Sequence, residues 1–181
     1  MSKIRLVGLL LVVMLVGFGS VGLMETTEFD FRNSTWGMSV DEVAKSETAK
    51  FISGNFLLKY EDRVLGYLTT IYYSFDDVER LNSAMYSFKA EVQIESHPYH
   101  DEYSSIVASY TEKYGEPFPE EETVTDNESV SAVTHKTKWQ TQTTDISVSL
   151  KYITSKEDGT VHAYLDADYN PREDLVDNSA I

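Results

Sequence analysis

The stretch "TWGMSVDEVAKSE", residues 35–47, begins the first predicted helix and decides how the rest of the chain is interpreted. With Ser39 as the N-cap, the Ser39 hydroxyl accepts a hydrogen bond from the backbone N–H of Glu42. The Glu42 carboxylate in turn accepts one from the N–H of Ser39. This capping box predicts a helix that starts at Ser39 and runs to about residue 50.

The residues around the capping box also have structural roles. Met38 and Val43 occupy the two positions of a hydrophobic staple, which fixes the angle at which the chain enters the helix. Gly37 allows a sharp bend before the cap, and Trp36 is expected to bury its ring beside the helix. The stretch therefore predicts a helix start and not a catalytic motif.

Residues 1–24 have the order of a secretory signal peptide, with basic residues first, an apolar run at 6–16 and small residues at 17–22. The competing interpretation is an uncleaved anchor, because residues 6–24 are just long enough to span a bilayer as a helix. Both interpretations place the rest of the chain outside the cytoplasm, as a secreted, periplasmic or cell-surface protein.

The composition indicates a folded and strongly acidic domain. Hydrophobic residues make up 41% of the 181 residues and aromatic residues 12%, which is enough for the core of one domain. The chain has 30 acidic and 15 basic residues and a formal net charge of −15. Such a surface repels phosphate backbones and anionic lipids. We therefore expect no nucleic-acid partner, and membrane contact only through an uncleaved N-terminal segment.

The chain contains no cysteine, which excludes disulfides, thiolate metal sites and cysteine nucleophiles. It also lacks the sequence motifs of a nucleophile elbow, a zinc-protease helix, a phosphate loop and a dinucleotide fold. The sequence therefore predicts no cofactor and no catalytic residues.

Alternating apolar and polar residues predict an antiparallel hairpin in the first half of the chain. The period of two over residues 64–75 and 81–94 gives each strand one buried face. A shorter strand at residues 56–60 precedes the hairpin. The side chains expected to face the core are Leu65, Tyr67, Thr69, Ile71, Tyr73 and Phe75, followed by Ala84, Tyr86, Phe88, Ala90, Val92 and Ile94.

A second amphipathic helix is predicted at residues 101–114, with Asp101 as its N-terminal cap and Gly115 as its C-terminal one. The acidic residues 116–131 are predicted to form an exposed, mobile loop. Three strands follow, and the turn dipeptide Asp158-Gly159 separates the last two. These strands are predicted at residues 136–143, 146–152 and 161–169.

These elements predict an α+β fold of two similar halves, each a helix followed by three antiparallel strands (α-βββ-α-βββ), in two layers with helix on sheet. The halves span about residues 29–95 and 99–170 of a single domain at 25–170. Residues 171–181 are predicted to be a flexible tail. The alternative, which the sequence leaves open, is that the two sheets join into one larger antiparallel sheet.

The run Gly37-Met38-Ser39-Val40-Asp41-Glu42-Val43 resembles the helix start of small exported bacterial α/β modules. These modules include small outer-membrane assembly lipoproteins, the β-lactamase inhibitor protein, and uncharacterised exported proteins with a Trp-Gly-Met-Ser start. Tyr114-Gly115-Glu116-Pro117 is similar to the Gly-x-Pro helix end of that family. The chain departs from the lipoprotein members because it has no cysteine to modify. The resemblance implies a non-catalytic module that binds proteins.

Three polar clusters contain possible metal ligands, and none is predicted to be a metal site. Pro98 prevents a regular helix in residues 97–102. We therefore interpret this segment, which contains two histidines, as a loop and helix cap. His162 and Asp166 share a strand face but lie about 13 Å apart, whereas Asp166 and Asp168 lie about 7 Å apart. The acids of residues 116–128 lack the spacing of a calcium loop.

The function predicted from these observations is an extracytoplasmic, non-enzymatic binding module. Its expected partner is another extracytoplasmic protein, and Tyr72 and Tyr164 are the candidate partner-facing residues on the exposed strand faces. One alternative is an exported hydrolase that acts on cell-surface material, which would need a deep cleft lined by carboxylates or histidines. Another is a loose cation sensor.

Replacing Ser39 with Ala is expected to lower the free energy of unfolding by about 1 kcal/mol, because one end of the capping box is removed. Urea denaturation measures the change, and Ser129→Ala in the predicted loop is the control. Unchanged stability together with lost partner binding would contradict the structural role of this motif.

Overall fold

The computed structural model describes residues 29–89 and 99–176, and the elements below belong to those residues. The predicted signal peptide or anchor, the end of the second predicted strand at 90–94, His97 and the last five residues lie outside the described residues. The helices are α1 (Val40–Ser46), α2 (His100–Tyr114) and α3 (Glu173–Val176). The strands are β1 (Lys50–Ser53), β2 (Leu57–Val64), β3 (Tyr67–Phe75), β4 (Leu81–Phe88), β5 (Glu121–Asp126), β6 (Val130–Gln140), β7 (Thr144–Ser155) and β8 (Val161–Pro171).

All these strands form one eight-stranded antiparallel sheet in the order β1-β2-β3-β4-β8-β7-β6-β5. Each half of the chain contributes a four-stranded meander, and the two meanders meet where β4 pairs with β8. At that junction Tyr86 lies opposite Ala167 and Met85 lies opposite Asp168.

The predicted fold class, a two-layer α+β fold of two helix-plus-three-strand halves (residues 29–95 and 99–170), is wrong. The strands instead make one large sheet, the arrangement that the sequence left open as the alternative. Pairing β4 with β8 satisfies the backbone groups that each strand would otherwise expose at an edge. In addition, α1 has only seven residues, so it is too short to form a layer over the first four strands.

The strand predicted at residues 64–75 begins only at Tyr67, because a tight turn at Leu65 and Gly66 separates β3 from β2. Both turn residues have positive φ angles, 52° for Leu65 and 88° for Gly66. Leu65 is therefore exposed and does not face the core as predicted. The apolar alternation continues across the turn, so the sequence pattern contained no break there. By contrast, the predicted burial of Ile71, Tyr73 and Ala84 is confirmed.

The predicted mobile loop at residues 116–131 contains strand β5, which pairs with β6. Every residue of β5 is exposed, because the strand forms an edge of the sheet and buries neither face. An exposed edge strand gives no apolar alternation, so the sequence pattern could not indicate it. The predicted Asp101 cap is also wrong, since Tyr99 is the N-cap of α2 and makes no side-chain cap. Gly115 is confirmed as the C-cap, with its N–H donating to Thr111.

One face of the sheet carries the hydrophobic core, and we call it the covered face. Helix α2 packs on it against β6 and β7, burying Tyr103, Ile106 and Tyr110. Before α1, Phe31 also packs there, with its ring centroid 4.7 Å from the ring of Tyr169. We call the opposite side of the sheet the open face.

The capping box at the start of α1 is confirmed. The Ser39 side chain accepts from the backbone N–H of Glu42, and the Ser39 N–H donates to the Glu42 carboxylate at 2.8 Å. These hydrogen bonds lower the pKa of Glu42 below its usual value. Trp36 reaches farther than predicted, because its Nε1 donates to Thr144 Oγ1 on β7 at 3.0 Å. The helix start therefore also contacts the second meander.

A polar network anchors the segment before α1 to the covered face. Arg32 pairs with the fully buried Glu47 side chain, Nε to Oε2 at 2.8 Å, and with Asp62 at 3.0 Å. Burial alone raises the pKa of Glu47, but hydrogen bonds from Tyr73, the Ala49 backbone and Arg32 outweigh it and hold the pKa below its usual value. The buried carboxylate therefore stays ionised.

Replacing Glu47 with Gln is expected to destabilise the protein by about 3 kcal/mol at pH 7, because it leaves the Arg32 charge partly buried with only Asp62 as partner. The pKa of Glu47 is lowered on folding. Its stabilising contribution is therefore present above its unfolded pKa of about 4.3 and is lost as pH falls through the folded pKa.

Urea denaturation between pH 3 and pH 7 measures both effects. Wild type should approach the variant in stability as the pH falls. The control is Glu61→Gln, which removes a carboxylate paired with Lys89 near the surface and should change stability much less. A constant difference between wild type and Glu47→Gln over this pH range would contradict the role of the ionised carboxylate.

Candidate functional site

The open face is continuous across the sheet, because residues paired in register point to the same side. One row crosses it from Lys59 on β2 to Lys138 on β6, through Tyr72, Met85, Asp168 and Ser147. A second row runs beside it through Glu61, Thr70, Ser87, Asp166, Ser149, Lys136 and Glu121. Helix α2 packs on the other side of the sheet. The rows are only partly exposed, since Thr70 and Ser147 within them are buried.

The open face differs from the whole chain in its charge. Its strand residues include six basic side chains and five carboxylates, although the chain has a net charge of −15. The basic residues are Lys50, Lys59, Arg63, Lys136, Lys138 and Lys151. The acidic residues are Glu61, Glu121, Asp145, Asp166 and Asp168. The face is therefore nearly neutral, and the excess negative charge lies elsewhere.

Two carboxylates occupy the centre of the open face. Asp166 and Asp168 lie on β8, and both are partly buried. Burial raises the pKa of Asp166, against a hydrogen bond from Ser87. Burial and the Asp166 charge raise the pKa of Asp168, whereas the charge of Lys136 opposes that shift. Within residues 29–89 and 99–176, no lysine or arginine nitrogen lies within 4.0 Å of either carboxylate.

The charges near the edges of the open face are paired with each other. Lys138 contacts Glu121 at 2.7 Å, and Glu61 lies 3.2 Å from Lys89 and 3.5 Å from Lys50. Exposed pairs of this kind contribute little to stability. These pairs neutralise charges near the edges of the face. Asp166 and Asp168 remain as the charged groups near its centre.

A cavity of about 1100 Å³ lies at one end of the open face, where α3 borders the sheet. Lys136, Lys138, Asp145 and Ser147 contribute polar side chains to its lining, and Phe118 supplies an exposed aromatic ring. The Phe118 backbone N–H donates to the Lys138 carbonyl at 2.9 Å, which fixes this ring beside the sheet. The cavity is wide, and its lining combines these polar groups with an equal share of apolar surface.

The structure places both predicted partner-facing tyrosines on the open face. Tyr72 lies on β3 opposite Met85, and the Lys59 ammonium is 5.4 Å from the centre of its ring. Tyr164 lies on β8 opposite Lys151, with 48% of its surface exposed. Their role toward a partner stays a prediction.

Among the described residues, no three histidine, aspartate or glutamate side chains are grouped closely enough to hold a metal ion. His100, Asp101 and Glu102 lie in the first turn of α2. The acidic segment 116–128 instead brings Glu120 to 3.3 Å from Nδ1 of His135 on β6.

The sequence pattern did not predict that the lysines of β6 belong to this surface. The alternation of Ser147, Ser149 and Lys151 was visible in the sequence, but strand order was not. Only the register between β6 and β7 places Lys136 and Lys138 beside these serines. Thus no signal within the β6 sequence alone could have assigned its lysines to this face.

In the described part of the chain, no helix has the length and apolar character needed to span a membrane. Comparisons with protein-family models, with curated proteins and with solved structures gave no match for this chain. The resemblance of its helix start to exported α/β modules therefore stays a prediction.

Replacing Asp168 with Asn is expected to stabilise the protein at pH 7. Because the pKa of Asp168 is raised on folding, its favourable contribution is present below the unfolded pKa and is lost as pH rises through the folded pKa. The variant should therefore exceed wild type in stability at pH 7 and match it at pH 3, as measured by urea denaturation.

Asp158→Asn is the matched control for that measurement. The pKa of Asp158 is lowered by the backbone N–H of Thr160, so this substitution should have the opposite sign at pH 7. Equal destabilisation by both substitutions at pH 7 would show that burial does not penalise the charge of Asp168.

Proposed function

We propose that this protein is an extracytoplasmic, non-enzymatic binding module that docks another extracytoplasmic protein on its open face. The observation that carries the proposal is the breadth and charge balance of that face. A nearly neutral polar surface on a chain of net charge −15 is the part that can approach a second protein with the least electrostatic repulsion.

The backbone of the open face is pre-organised for binding. Its rows of side chains are held by eight hydrogen-bonded strands, so little backbone entropy is lost when a partner binds. Tyr72 and Tyr164 offer large amphipathic side chains of the type enriched at the centres of interfaces. A rigid sheet with aromatic anchors supports recognition of a protein surface.

The charge pattern indicates what the partner presents to this face. The central Asp166 and Asp168 are flanked by Lys136 and Lys138 on one side and by Lys59 on the other. A complementary partner has a basic group facing the centre and acidic groups around it. Partly buried carboxylates can accept charge-assisted hydrogen bonds from such a partner, which oppose the effect of the burial that raises their pKa values.

The extracytoplasmic location in this proposal rests on the order of basic, apolar and small residues at 1–24. The absence of cysteine fits a domain that relies on its core and hydrogen bonds in any redox environment.

One observation favours the alternative, an exported hydrolase that acts on cell-surface material. Asp166 and Asp168 both have raised pKa values and lie about 7 Å apart along β8. Paired carboxyl groups of this kind can serve as general acid and base. However, the nearby cavity is open and is lined by Lys136 and Lys138 rather than by these carboxyls.

The proposal is tested by placing a photo-crosslinking amino acid at Tyr72 and, separately, at Tyr164, in the producing cell. The same amino acid at Val124, which is exposed on edge strand β5, is the control. We expect crosslinks to one extracytoplasmic protein from the first two positions only. With the purified partner, the double variant Tyr72→Ala/Tyr164→Ala should then weaken binding by at least about 10-fold, since interface tyrosines are frequent hot spots.

Two outcomes would contradict the docking proposal. The first is crosslinking from Val124 alone, together with unchanged affinity of the tyrosine variant. The second is release of sugars or peptides from cell-surface material by wild type but not by Asp168→Asn, which would favour the hydrolase instead.

A further inference from the structure

A second cavity, of about 330 Å³, lies on the side of the sheet opposite the open face. It opens between residues 29–32, the end of α2, and the turn from β6 to β7. The proposed docking face does not include it, and none of the predicted site residues lines it. Its lining consists of Phe29, Asp30, Phe31, Arg32, Tyr86, Lys113, Tyr114, Thr141, Gln142, Thr143, Thr144, Ile146 and Tyr169.

Aromatic rings of the core form the floor of this cavity. Phe31 has its ring centroid 4.7 Å from those of both Tyr86 and Tyr169, and Tyr86 lies 5.8 Å from Tyr169. All three rings are buried, so their positions are fixed by packing on every other side. The floor is therefore rigid, but each of these residues leaves at most 9% of its surface accessible, so a ligand gains little contact area from them.

Two further aromatic rings line the cavity. Phe29 leaves 47% of its surface exposed, and Tyr114 belongs to the last turn of α2. Gln142 and Thr143 are exposed residues of the lining and place polar groups at the opening. An apolar floor with a polar rim is the arrangement typical of a small-molecule site.

The charged groups of the lining favour a negatively charged ligand. Asp30 already accepts hydrogen bonds from the Trp36 backbone, Thr143 and Thr144. The guanidinium of Arg32 is likewise occupied by its carboxylate partners. This leaves Lys113 as the charged group at the opening that a ligand can engage.

The Lys113 ammonium lies 4.7 Å from the centre of the Tyr114 ring. Within residues 29–89 and 99–176, no carboxylate oxygen lies within 4.0 Å of this ammonium. The described residues therefore place one positive charge at this opening with no carboxylate at ion-pair distance. The local charge is thus complementary to an anion.

We propose that this cavity binds a small aromatic carboxylate. Its ring packs against the accessible side chains of Phe29 and Tyr114, and its carboxylate pairs with the ammonium of Lys113. The volume, near the lower end for ligand pockets, limits the ligand to one or two fused rings. This site is independent of the proposed docking function, because it lies on the other side of the sheet and uses different residues.

Isothermal titration calorimetry of the full chain tests the proposal with three probes that share one ring system. The probes are 2-naphthoate, 2-naphthalenemethanol and 2-naphthylmethylammonium. We expect 2-naphthoate to bind with one site per chain and at least ten-fold tighter than the alcohol, and the ammonium to bind most weakly. Equal affinities, a preference for the ammonium, or no binding of 2-naphthoate would overturn the proposal.

Two variants locate the site, and a third is the matched control. Lys113→Met should weaken the binding of 2-naphthoate at least ten-fold and leave the affinity for the alcohol unchanged. Gln142→Trp should weaken the binding of both probes, because the larger side chain obstructs the opening. The control Lys156→Met removes an exposed lysine that pairs with Asp126 at 2.6 Å and should change neither affinity. Unaltered 2-naphthoate binding in Lys113→Met and Gln142→Trp, with folding verified by circular dichroism, would overturn the assignment.

Discussion

The hydrogen bonds between β4 and β8 hold the two meanders in one sheet, and both cavities lie on surfaces that this pairing makes continuous. Without it, each meander would end in an unpaired strand, and Asp166 and Asp168 would lie at an edge instead of at the centre of a face. The same pairing aligns Tyr86 and Tyr169 on the covered side, where Phe31 packs against both. A single register thus determines the polar surface on one side and the aromatic floor on the other, because side chains alternate along each strand.

The segment before α1 gives the first meander much of its cover, because α1 itself is short. Phe31 fills the aromatic core, Arg32 reaches the buried Glu47, and Trp36 contacts Thr144 in the second meander. A buried ion pair adds less net stability than its short distance suggests, since removing two charges from water is costly. The ion pair instead fixes the position of this segment on the sheet. Glu47 accepts hydrogen bonds from both Arg32 and Tyr73 only when the segment follows this path.

Local features could be predicted from the sequence, and features that depend on distant pairing could not. The capping box at Ser39, the glycine cap at Gly115 and the buried alternation around Tyr73 each depend on a few neighbouring residues. The turn at Leu65 was missed because the alternation passes through it unchanged, and β5 was missed because an exposed edge strand needs no apolar residues. Strand order leaves no local pattern in the sequence. For this reason the fold class was predicted wrongly, and Lys136 and Lys138 were not assigned to the open face. The second cavity was not foreseeable either, because its lining comes from segments more than 100 residues apart.

The two outer strands have a consequence for how the molecule behaves at high concentration. An unpaired strand edge can recruit the edge of another molecule and extend the sheet from chain to chain. Here β1 is only four residues long and its register is interrupted between Phe51 and Ser53, while β5 presents Glu121, Glu122 and Asp126. Charged side chains on an edge strand oppose its pairing with a second edge. Both features disfavour extension of the sheet from one chain to the next.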